Sequence, residues 1–319
     1  MVLRGPFWLS GRSCKGDMRA IAILNKDAGT LRTMNLEAYV SLLETSFAAE
    51  GHQVDCRVVA GRDVVATLRA AAAEPQTDAL IVAGGDGSVS AAAAIAWKSG
   101  HPLGVIPAGT MNLFARAIGL PLDVNAVPGV LAEWHVMAAD IGDANGNPFV
   151  HQFSAGMHAR MIRLREKIAY RSRLGKIAAN IRASIGVLLD PPGFDVTCKI
   201  NGIEESMKVS AISVSNNAFG PSPMLISERL DGGHLGLYLA KRLDWKGALH
   251  LAFDLFRGKL KENIAVRSEL VQEVELHFPR RTPTARCVLD GELMPLPRDI
   301  RICIHPGALK VLGPAPKTT

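Results

Sequence analysis

Three glycines surround one aspartate in the stretch Gly84-Gly85-Asp86-Gly87-Ser88. An apolar run precedes it and an alanine-rich run up to Trp97 follows it, which predicts a strand, a tight loop and a helix. Glycines permit positive φ and carry no Cβ, so the backbone N–H groups of such a loop can close around phosphate oxygens. Asp86 beside phosphate would be repulsive without a cation, which indicates Mg²⁺ held directly or through water. The alternative is a glycine-rich turn in which Asp86 caps the helix.

A second loop of the same kind follows about twenty residues later, in Pro107-Ala108-Gly109-Thr110-Met111-Asn112-Leu113. A short apolar strand precedes it, and a helix is expected to open at Thr110, whose hydroxyl suits both N-capping and phosphate contact. Two such loops after neighbouring parallel strands are expected to face each other. Ligands bind at such carboxyl strand ends in open α/β sheets.

A pair of acids near the C-terminus lies in Leu289-Asp290-Gly291-Glu292. In an extended segment, carboxylates two residues apart share a face, and Gly291 leaves room for a ligand. Asp290 is therefore a candidate base that accepts the proton of an alcohol during phosphoryl transfer. The alternative is a type I′ or II′ hairpin turn with solvated acids, which is common for Asp-Gly.

These three texts, in this order, resemble those of the diacylglycerol kinase-like lipid kinases, the family that includes bacterial lipid kinases and the sphingosine and ceramide kinases. The resemblance extends from about Arg19 to about Leu312. It implies an α/β nucleotide-binding domain of the NAD kinase/diacylglycerol kinase-like type, followed by an antiparallel β-sandwich domain. It also implies ATP and Mg²⁺ as cofactors and a lipid hydroxyl as the phosphoryl acceptor.

The resemblance also assigns roles to individual residues. It assigns proton abstraction to Asp290. It places Glu292 on the side of the site that holds the nucleotide and its metal. The residues that it implies for nucleotide contact are Asn25, Gly84, Gly85, Asp86, Gly87, Ser88, Gly109, Thr110 and Asn112. The residues that it implies for metal are Asp86, Asp140, acting through water, and Asp231, holding a separate structural ion. For Asp231 an ordinary Asp-Gly turn before a strand is an equal alternative.

The chain departs from the family pattern at three positions. Leu113 stands where much of the family has an aspartate, which removes one carboxylate from the expected metal network. Lys26 stands where proline is usual, so only Asn25 is carried over from that text. His158 stands where an aspartate is frequent, and we assign it no role.

The composition is that of a globular chain long enough for two domains, with 319 residues, 48% hydrophobic and 21% charged. A formal charge of +6 favours anionic partners. The five cysteines include no CxxC pair, which favours reduced thiols in a cytoplasmic protein. No apolar run approaches the ~20 residues of a membrane-spanning helix.

The order of patterns predicts two domains after an N-terminal extension. Residues 1–18 are expected to be an extension that is disordered or loosely ordered. Residues 19–138 are expected to form the α/β nucleotide-binding domain, and 139–319 a β-rich lipid-substrate domain whose last strands can return to the first. An amphipathic helix is expected over 244–257, with core packing as its default role.

A helical stretch over 157–189 carries eight cations against one acid, Glu166. Its isoleucines supply an apolar side, so it can attract anionic lipid headgroups or be a solvated face. The cations are Arg160, Arg163, Arg165, Lys167, Arg171, Arg173, Lys176 and Arg182.

The sequence favours a cytoplasmic lipid kinase that makes transient contact with an anionic membrane surface. Its partners are expected to be ATP and a lipid of diacylglycerol, phosphatidylglycerol or sphingoid type, without nucleic acid. The alternatives are an NAD kinase-like small-molecule kinase and a catalytically weak nucleotide- or lipid-binding protein. Oligomeric state, including a homodimer, is left open.

Overall fold

A computed structural model of the protein describes residues 17–167, 182 and 184–315. The strands are β1 (Arg19–Asn25), β2 (Gln53–Val59), β3 (Ala79–Gly84), β4 (Leu103–Pro107), β5 (His135–Ala144), β6 (Asn147–Phe149), β7 (Gln152–Gly156), β8 (Phe194–Ile200), β9 (Ile203–Asn216), β10 (Leu235–Lys241), β11 (Val266–Val271), β12 (Glu273–His277), β13 (Arg286–Leu289), β14 (Glu292–Pro295) and β15 (Asp299–Gly313). The α-helices are α1 (Leu36–Ala49), α2 (Val64–Ala72), α3 (Asp86–Ser99), α4 (Leu113–Ala117), α5 (Val127–Ala132), α6 (Met157–Lys167) and α7 (Trp245–Phe256). Of the predicted N-terminal extension, only Asp17 and Met18 are among the described residues.

The chain divides into two compact units. The first comprises the chain up to Ile141, Arg229–Gly232, and the chain from His305 onward. The second comprises Gly142–Glu228 and Gly233–Ile304.

The first unit contains a parallel sheet in the order β2-β1-β3-β4. β3 and β4 are buried along their whole length, as continuous apolar runs in a parallel sheet should be. Gly84 pairs with Pro107 in the β3–β4 register, so the two strands end level and both loops leave the same edge. The predicted parallel α/β arrangement is confirmed. The C-terminal half of β15 adds to this sheet, with Val311 parallel to Leu103.

The second unit is built from antiparallel strands, as predicted for the C-terminal part. β9 is the central member and pairs with β7, β8 and β10, while β13 pairs with β7 and β14. The inward side chains form one core of branched aliphatic and aromatic residues, including Phe149, Phe153, Val214, Leu237 and Ile302.

One predicted strand in this unit is interrupted. A continuous strand over 149–154 is expected from the pattern, but β6 ends at Phe149 and β7 begins at Gln152. The amides of Val150 and His151 donate to the side chain of Asp290 instead of to a neighbouring strand. A backbone donor used by a side chain is lost to the sheet ladder, which explains the break.

The predicted helix over 157–189 is described only at its two ends. α6 covers Met157–Lys167, and residues 184–189 are again helical. The positions between 168 and 181, with Arg171, Arg173 and Lys176, lie outside the described part of the chain. The helix predicted over 244–257 is confirmed as α7, with Asp244 as its N-cap.

Candidate active site

The loops after β3 and β4 are in direct backbone contact. A Cβ added at Gly109 would lie 2.6 Å from Cα of Gly85, and one added at Gly84 would lie 2.6 Å from Cβ of Ser88. Gly84, Gly85, Gly87 and Gly109 all have a negative φ or an extended backbone, so of the two reasons expected for these glycines the positive φ is wrong and the missing Cβ is the one that applies. At Gly84 and Gly109 glycine is required because two stretches of chain approach more closely than a side chain allows.

Asp86 joins the two loops. Its Oδ2 accepts a hydrogen bond from the N–H of Asn112 at 3.0 Å, and its Oδ1 accepts one from the N–H of Leu113 at 2.6 Å. Asp86 is the first residue of α3, and the N-cap position is held by Gly85 without a side-chain cap bond. The alternative in which Asp86 caps its own helix is therefore wrong. Its carboxylate instead accepts hydrogen bonds from the backbone N–H groups at the start of α4, in the neighbouring loop.

Asn112 closes the second loop on itself. Its backbone is left-handed, with φ of 52°, and its side chain pairs with both backbone groups of Gly109 at 2.9 and 3.1 Å. α4 begins at Leu113, so the expectation that the helix opens at Thr110 is wrong. Thr110 lies exposed on the loop.

The loop after β1 meets both of these loops. Asn25 Nδ2 donates to Ser88 Oγ at 3.4 Å, while Asn25 Oδ1 accepts from the N–H of Asp27 at 3.0 Å. The N–H of Thr30 donates to the carbonyl of Ala108 at 3.1 Å. The structure therefore brings together the residues predicted for nucleotide contact, with the N–H groups and side chains of three loops at one sheet edge.

Asp290 lies in a two-residue hairpin turn rather than in an extended segment. Leu289 pairs with Glu292, and the intervening Asp290 and Gly291 have φ of 47° and 90°, both positive as a type I′ turn requires. The expectation that the two acids share one face of a strand is therefore wrong. Glu292 is exposed but Asp290 is buried. The alternative of a hairpin turn is therefore correct, except that its aspartate is not solvated.

Three backbone amides hold the Asp290 carboxylate. Oδ2 accepts from the N–H of Val150 at 2.8 Å, and Oδ1 accepts from the N–H groups of His151 and Gln152 at 2.9 Å each. The N–H of Asp290 donates in turn to the carbonyl of Gln152 at 2.9 Å. Sequence reasoning missed this clasp because its donors are main-chain groups that any residue type supplies.

A buried polar layer lies beneath this clasp. Asn216 donates from Nδ2 to the carbonyl of Val150 at 3.2 Å and from its backbone N–H to the carbonyl of His151 at 2.8 Å. Ser213 Oγ donates to Gln152 Oε1 at 2.7 Å. Polar residues at 213 and 215–217, which alternate with or follow the buried Ile212 and Val214, were the sequence signal for it, since buried polar groups need partners.

The other two predicted metal residues have different surroundings. Asp140 is 1% exposed, and its Oδ1 accepts from the N–H of Gly307 at 2.7 Å. The Asp231 carboxylate pairs with both ends of the Arg229 guanidinium, at 2.9 and 3.0 Å. A cationic group of the chain itself therefore lies where the resemblance implied a structural ion.

No cluster of three or more His, Cys, Asp or Glu side chains suited to a metal occurs among the described residues. In phosphoryl-transfer sites Mg²⁺ is held by one or two carboxylates together with phosphate and water oxygens. Asp86, beside two loops rich in backbone N–H groups, fits that kind of ligand set. Asp86, Asp140 and Asp231 do not form a shared three-carboxylate centre.

In the basic stretch over 157–189, some of the described residues already make contacts within the chain. Arg160 donates to the carbonyl and the carboxylate of Asp190, each at 2.7 Å, and Ile162 packs with Val288. His158 Nδ1 lies 2.6 Å from Oγ of the buried Ser154. Contact of this stretch with lipid stays a prediction. None of the helices within the described ranges combines the length and apolarity needed to cross a bilayer.

Comparison with known proteins identifies proteins that this chain resembles. The family model for the diacylglycerol kinase catalytic domain matches residues 19–144. The chain is 25% identical over 290 residues to an uncharacterized protein of Synechocystis sp., covering 88% of this chain and 65% of that protein. It is 29% identical over 199 residues to a diacylglycerol kinase of Staphylococcus saprophyticus, covering 60% of this chain and 64% of that enzyme. The chain thus spans slightly under two thirds of these two relatives.

Two further comparisons extend over most of the chain. A diacylglycerol kinase of Staphylococcus carnosus is 25% identical over 280 residues, covering 86% of this chain and 88% of that enzyme. The crystal structure of a diacylglycerol kinase from Bacillus anthracis superposes with a TM-score of 0.67 at 18% identity, covering 92% and 96% of the two chains. At that identity the superposition establishes the fold alone.

Proposed function

The chain belongs to the diacylglycerol kinase-like family, and on that premise we propose that it is an ATP- and Mg²⁺-dependent lipid kinase. The observation that carries the proposal is the pair of hydrogen bonds by which Asp86, in the loop after β3, holds the loop after β4. It organises two loops at one sheet edge, where open α/β folds bind nucleotides.

The nucleotide half of the reaction is assigned to these loops. Gly84–Ser88 and Gly109–Asn112 present backbone N–H groups that donate to phosphate oxygens, and Asn25 contacts the nucleotide from the loop after β1. The Asp86 carboxylate would hold Mg²⁺, directly or through water. Bound Mg²⁺ supplies neutralisation of phosphate charge, a contribution that favours attack on the γ-phosphorus.

The acceptor half is assigned to Asp290. The lipid hydroxyl oxygen forms a bond to the γ-phosphorus as the bond from that phosphorus to the bridging oxygen of ADP breaks. The proton leaves the hydroxyl for the Asp290 carboxylate. Three amides fix that carboxylate before substrate arrives, which supports the role because a positioned base needs no reorganisation during the reaction.

The finer features follow from the family. We infer that the antiparallel unit is a lipid-binding β-sandwich, and that the enzyme is cytoplasmic and binds peripherally to membranes. The acceptor belongs to the class of lipids with a free hydroxyl, of diacylglycerol, phosphatidylglycerol or sphingoid type. Asp140 and Glu292 are proposed to support the metal and nucleotide.

A transfer assay tests the proposal. The protein is incubated with γ-labelled ATP, Mg²⁺ and, in separate reactions, each lipid class and NAD. Label on a lipid is the expected result. Label on NAD alone would establish the small-molecule kinase instead, and ATP binding without label on any acceptor would contradict the proposal.

The role of Asp290 needs a matched pair of variants, because Asp290→Asn also disturbs the clasp. His151→Pro removes one amide donor while leaving the carboxylate in place. We expect Asp290→Asn to lower kcat by about 10²–10⁴-fold with little change in ATP affinity. His151→Pro should lower kcat far less at a comparable loss of stability. Equal losses of kcat would mean that Asp290 acts only by holding the loop.

A further inference from the structure

Helix α7 has a second apolar face that is open to solvent. Trp245, Leu249, Phe253 and Phe256 recur at intervals of four, four and three residues, which places them on one side of the helix. They are 48%, 44%, 57% and 79% exposed. The expectation that these side chains pack into the core is wrong, since four large apolar residues together are more than an isolated surface exception.

The buried face of the same helix is a different set of residues. Ala248 and Leu251 pack with Ala240 and Leu243, and the helix begins at Asp244, whose carboxylate accepts from the N–H of Gly247 at 2.8 Å. α7 is thus fixed to the second unit by its own core contact and its cap. The exposed face is not needed to hold the helix in place.

Cations lie along one edge of this exposed face. Lys246 Nζ is 5.5 Å from the centroid of the Trp245 ring, and Arg257 Cζ is 5.4 Å from that of Phe253. The two acids at this helix are engaged, because Asp244 caps it and Asp254 accepts from Asn263 Nδ2 at 2.7 Å. The edge therefore presents positive charge beside aromatic rings.

We propose that the exposed face of α7 docks the protein on an anionic lipid bilayer. Aromatic rings of this kind enter the boundary between headgroups and acyl chains, while flanking cations reach lipid phosphates. Ile264, 88% exposed, follows directly after Asn263 and adds apolar surface next to the helix. A second copy of the chain fits less well, because it would bring the same cations without acids to meet them.

The inference rests on the proposed lipid kinase function for its purpose, since a lipid hydroxyl has to be reached in a membrane. It assigns membrane contact to α7 in addition to the basic stretch over 157–189. Its test does not depend on turnover, so the two proposals can fail separately.

Trp245 reports directly on insertion. Vesicles of phosphatidylglycerol and phosphatidylcholine carrying brominated acyl chains should quench tryptophan fluorescence of the unmodified protein. Trp245→Phe should bind these vesicles equally in a sedimentation assay but lose that quenching, because phenylalanine keeps the face apolar. Quenching that persists in Trp245→Phe, or no binding by the unmodified protein, would overturn the proposal.

A double variant tests the energy of docking. Phe253→Ser with Phe256→Ser should lower vesicle partitioning by roughly tenfold or more, because two aromatic side chains no longer leave water. Ile203→Ser is the matched control, since Ile203 is 74% exposed in the hairpin between β8 and β9. This variant should bind vesicles as the unmodified protein does. Lys246→Gln with Arg257→Gln should weaken binding and its salt dependence.

The remaining outcomes are distinct. If the double variant Phe253→Ser with Phe256→Ser binds vesicles as the unmodified protein does, the proposal is wrong. If the unmodified protein sediments as a dimer, the Phe253→Ser, Phe256→Ser double variant sediments as a monomer, and vesicles quench the tryptophan fluorescence of neither, the face joins two copies and the proposal is likewise wrong. Vesicle binding by a protein that phosphorylates no lipid would contradict the kinase function and leave docking intact.

Discussion

Asp86 Oδ1 accepts a hydrogen bond from the backbone N–H of Leu113 at 2.6 Å. Leu113 occupies the position where the resembling kinases often carry an aspartate. The main chain of residue 113 therefore serves Asp86 directly, whatever its side chain is. The substitution removes a carboxylate without breaking the link between the loops.

Restoring that carboxylate should make the melting temperature of the protein more dependent on Mg²⁺. Leu113→Asp places a second negative charge beside Asp86, so the melting temperature without Mg²⁺ should fall by roughly 2–4 °C. Mg²⁺ with ATP should raise it more than it does for the unmodified protein. Calorimetric scans with and without Mg²⁺ measure both effects.

Leu113→Asn is the control for Leu113→Asp, because it has the same shape without the charge. Its melting temperature should respond to Mg²⁺ and ATP as that of the unmodified protein does. An equal Mg²⁺ response in both variants would mean that residue 113 does not lie in the metal's surroundings.

Gly109 should not tolerate a methyl group. In Gly109→Ala the new Cβ would lie 2.6 Å from Cα of Gly85, and backbone atoms cannot move aside as a flexible side chain can. We expect a loss of about 1–3 kcal/mol of stability and weaker ATP binding in titration calorimetry. Gly29→Ala is the matched control, since its Cβ would meet only the carbonyl of Ala108 at an ordinary 3.6 Å. Similar ATP affinities in both variants would show that the contact between the loops is not needed for binding.

Asp290→Asn should be destabilising before any question of turnover arises. An amide group in place of the carboxylate turns an N–H toward at least one of the amides of Val150, His151 and Gln152, which leaves buried donors unpaired. Such a loss costs about 1–3 kcal/mol in the free energy of unfolding. Denaturant titration measures it, and a stability equal to that of the unmodified protein would contradict the clasp.

Three cysteine thiols, two of them buried and one half-buried, should make the protein less stable in alkali. Burial raises the pKa of Cys56 to about 12 and those of Cys198 and Cys287 to about 11, from an ordinary value of 9.0. Their contribution is complete below pH 9 and is lost as the pH rises toward 11–12, because only the unfolded chain releases these protons in that window. The slope is at most about 1.4 kcal/mol per pH unit for each thiol.

Denaturant titrations between pH 8 and 10.5 would measure that slope. Cys198→Ala should be less stable at every pH, since a buried side chain is shortened, but its stability should fall less steeply above pH 9. A slope unchanged from that of the unmodified protein would mean that Cys198 ionises equally in both states.

Much of the first unit could be predicted from the sequence alone. Continuous apolar runs that end in glycine, such as those before Gly84 and Gly109, identify buried parallel strands followed by loops. Strands of a parallel sheet end at a common edge, so adjacency of the two loops followed from local patterns. The resemblance to a family and the candidate residues followed from three short sequence motifs.

The tertiary structure decided what those residues do to one another. Asp86 and Asp290 each read as a helix or turn residue in the sequence, yet both bind main-chain amides far away along the chain, at residues 112–113 and 150–152. Amides are the same in every residue, so no side-chain pattern marks them as partners. The open face of α7 was hidden for a related reason: periodicity shows that a helix has apolar sides, but only packing shows which of them is covered.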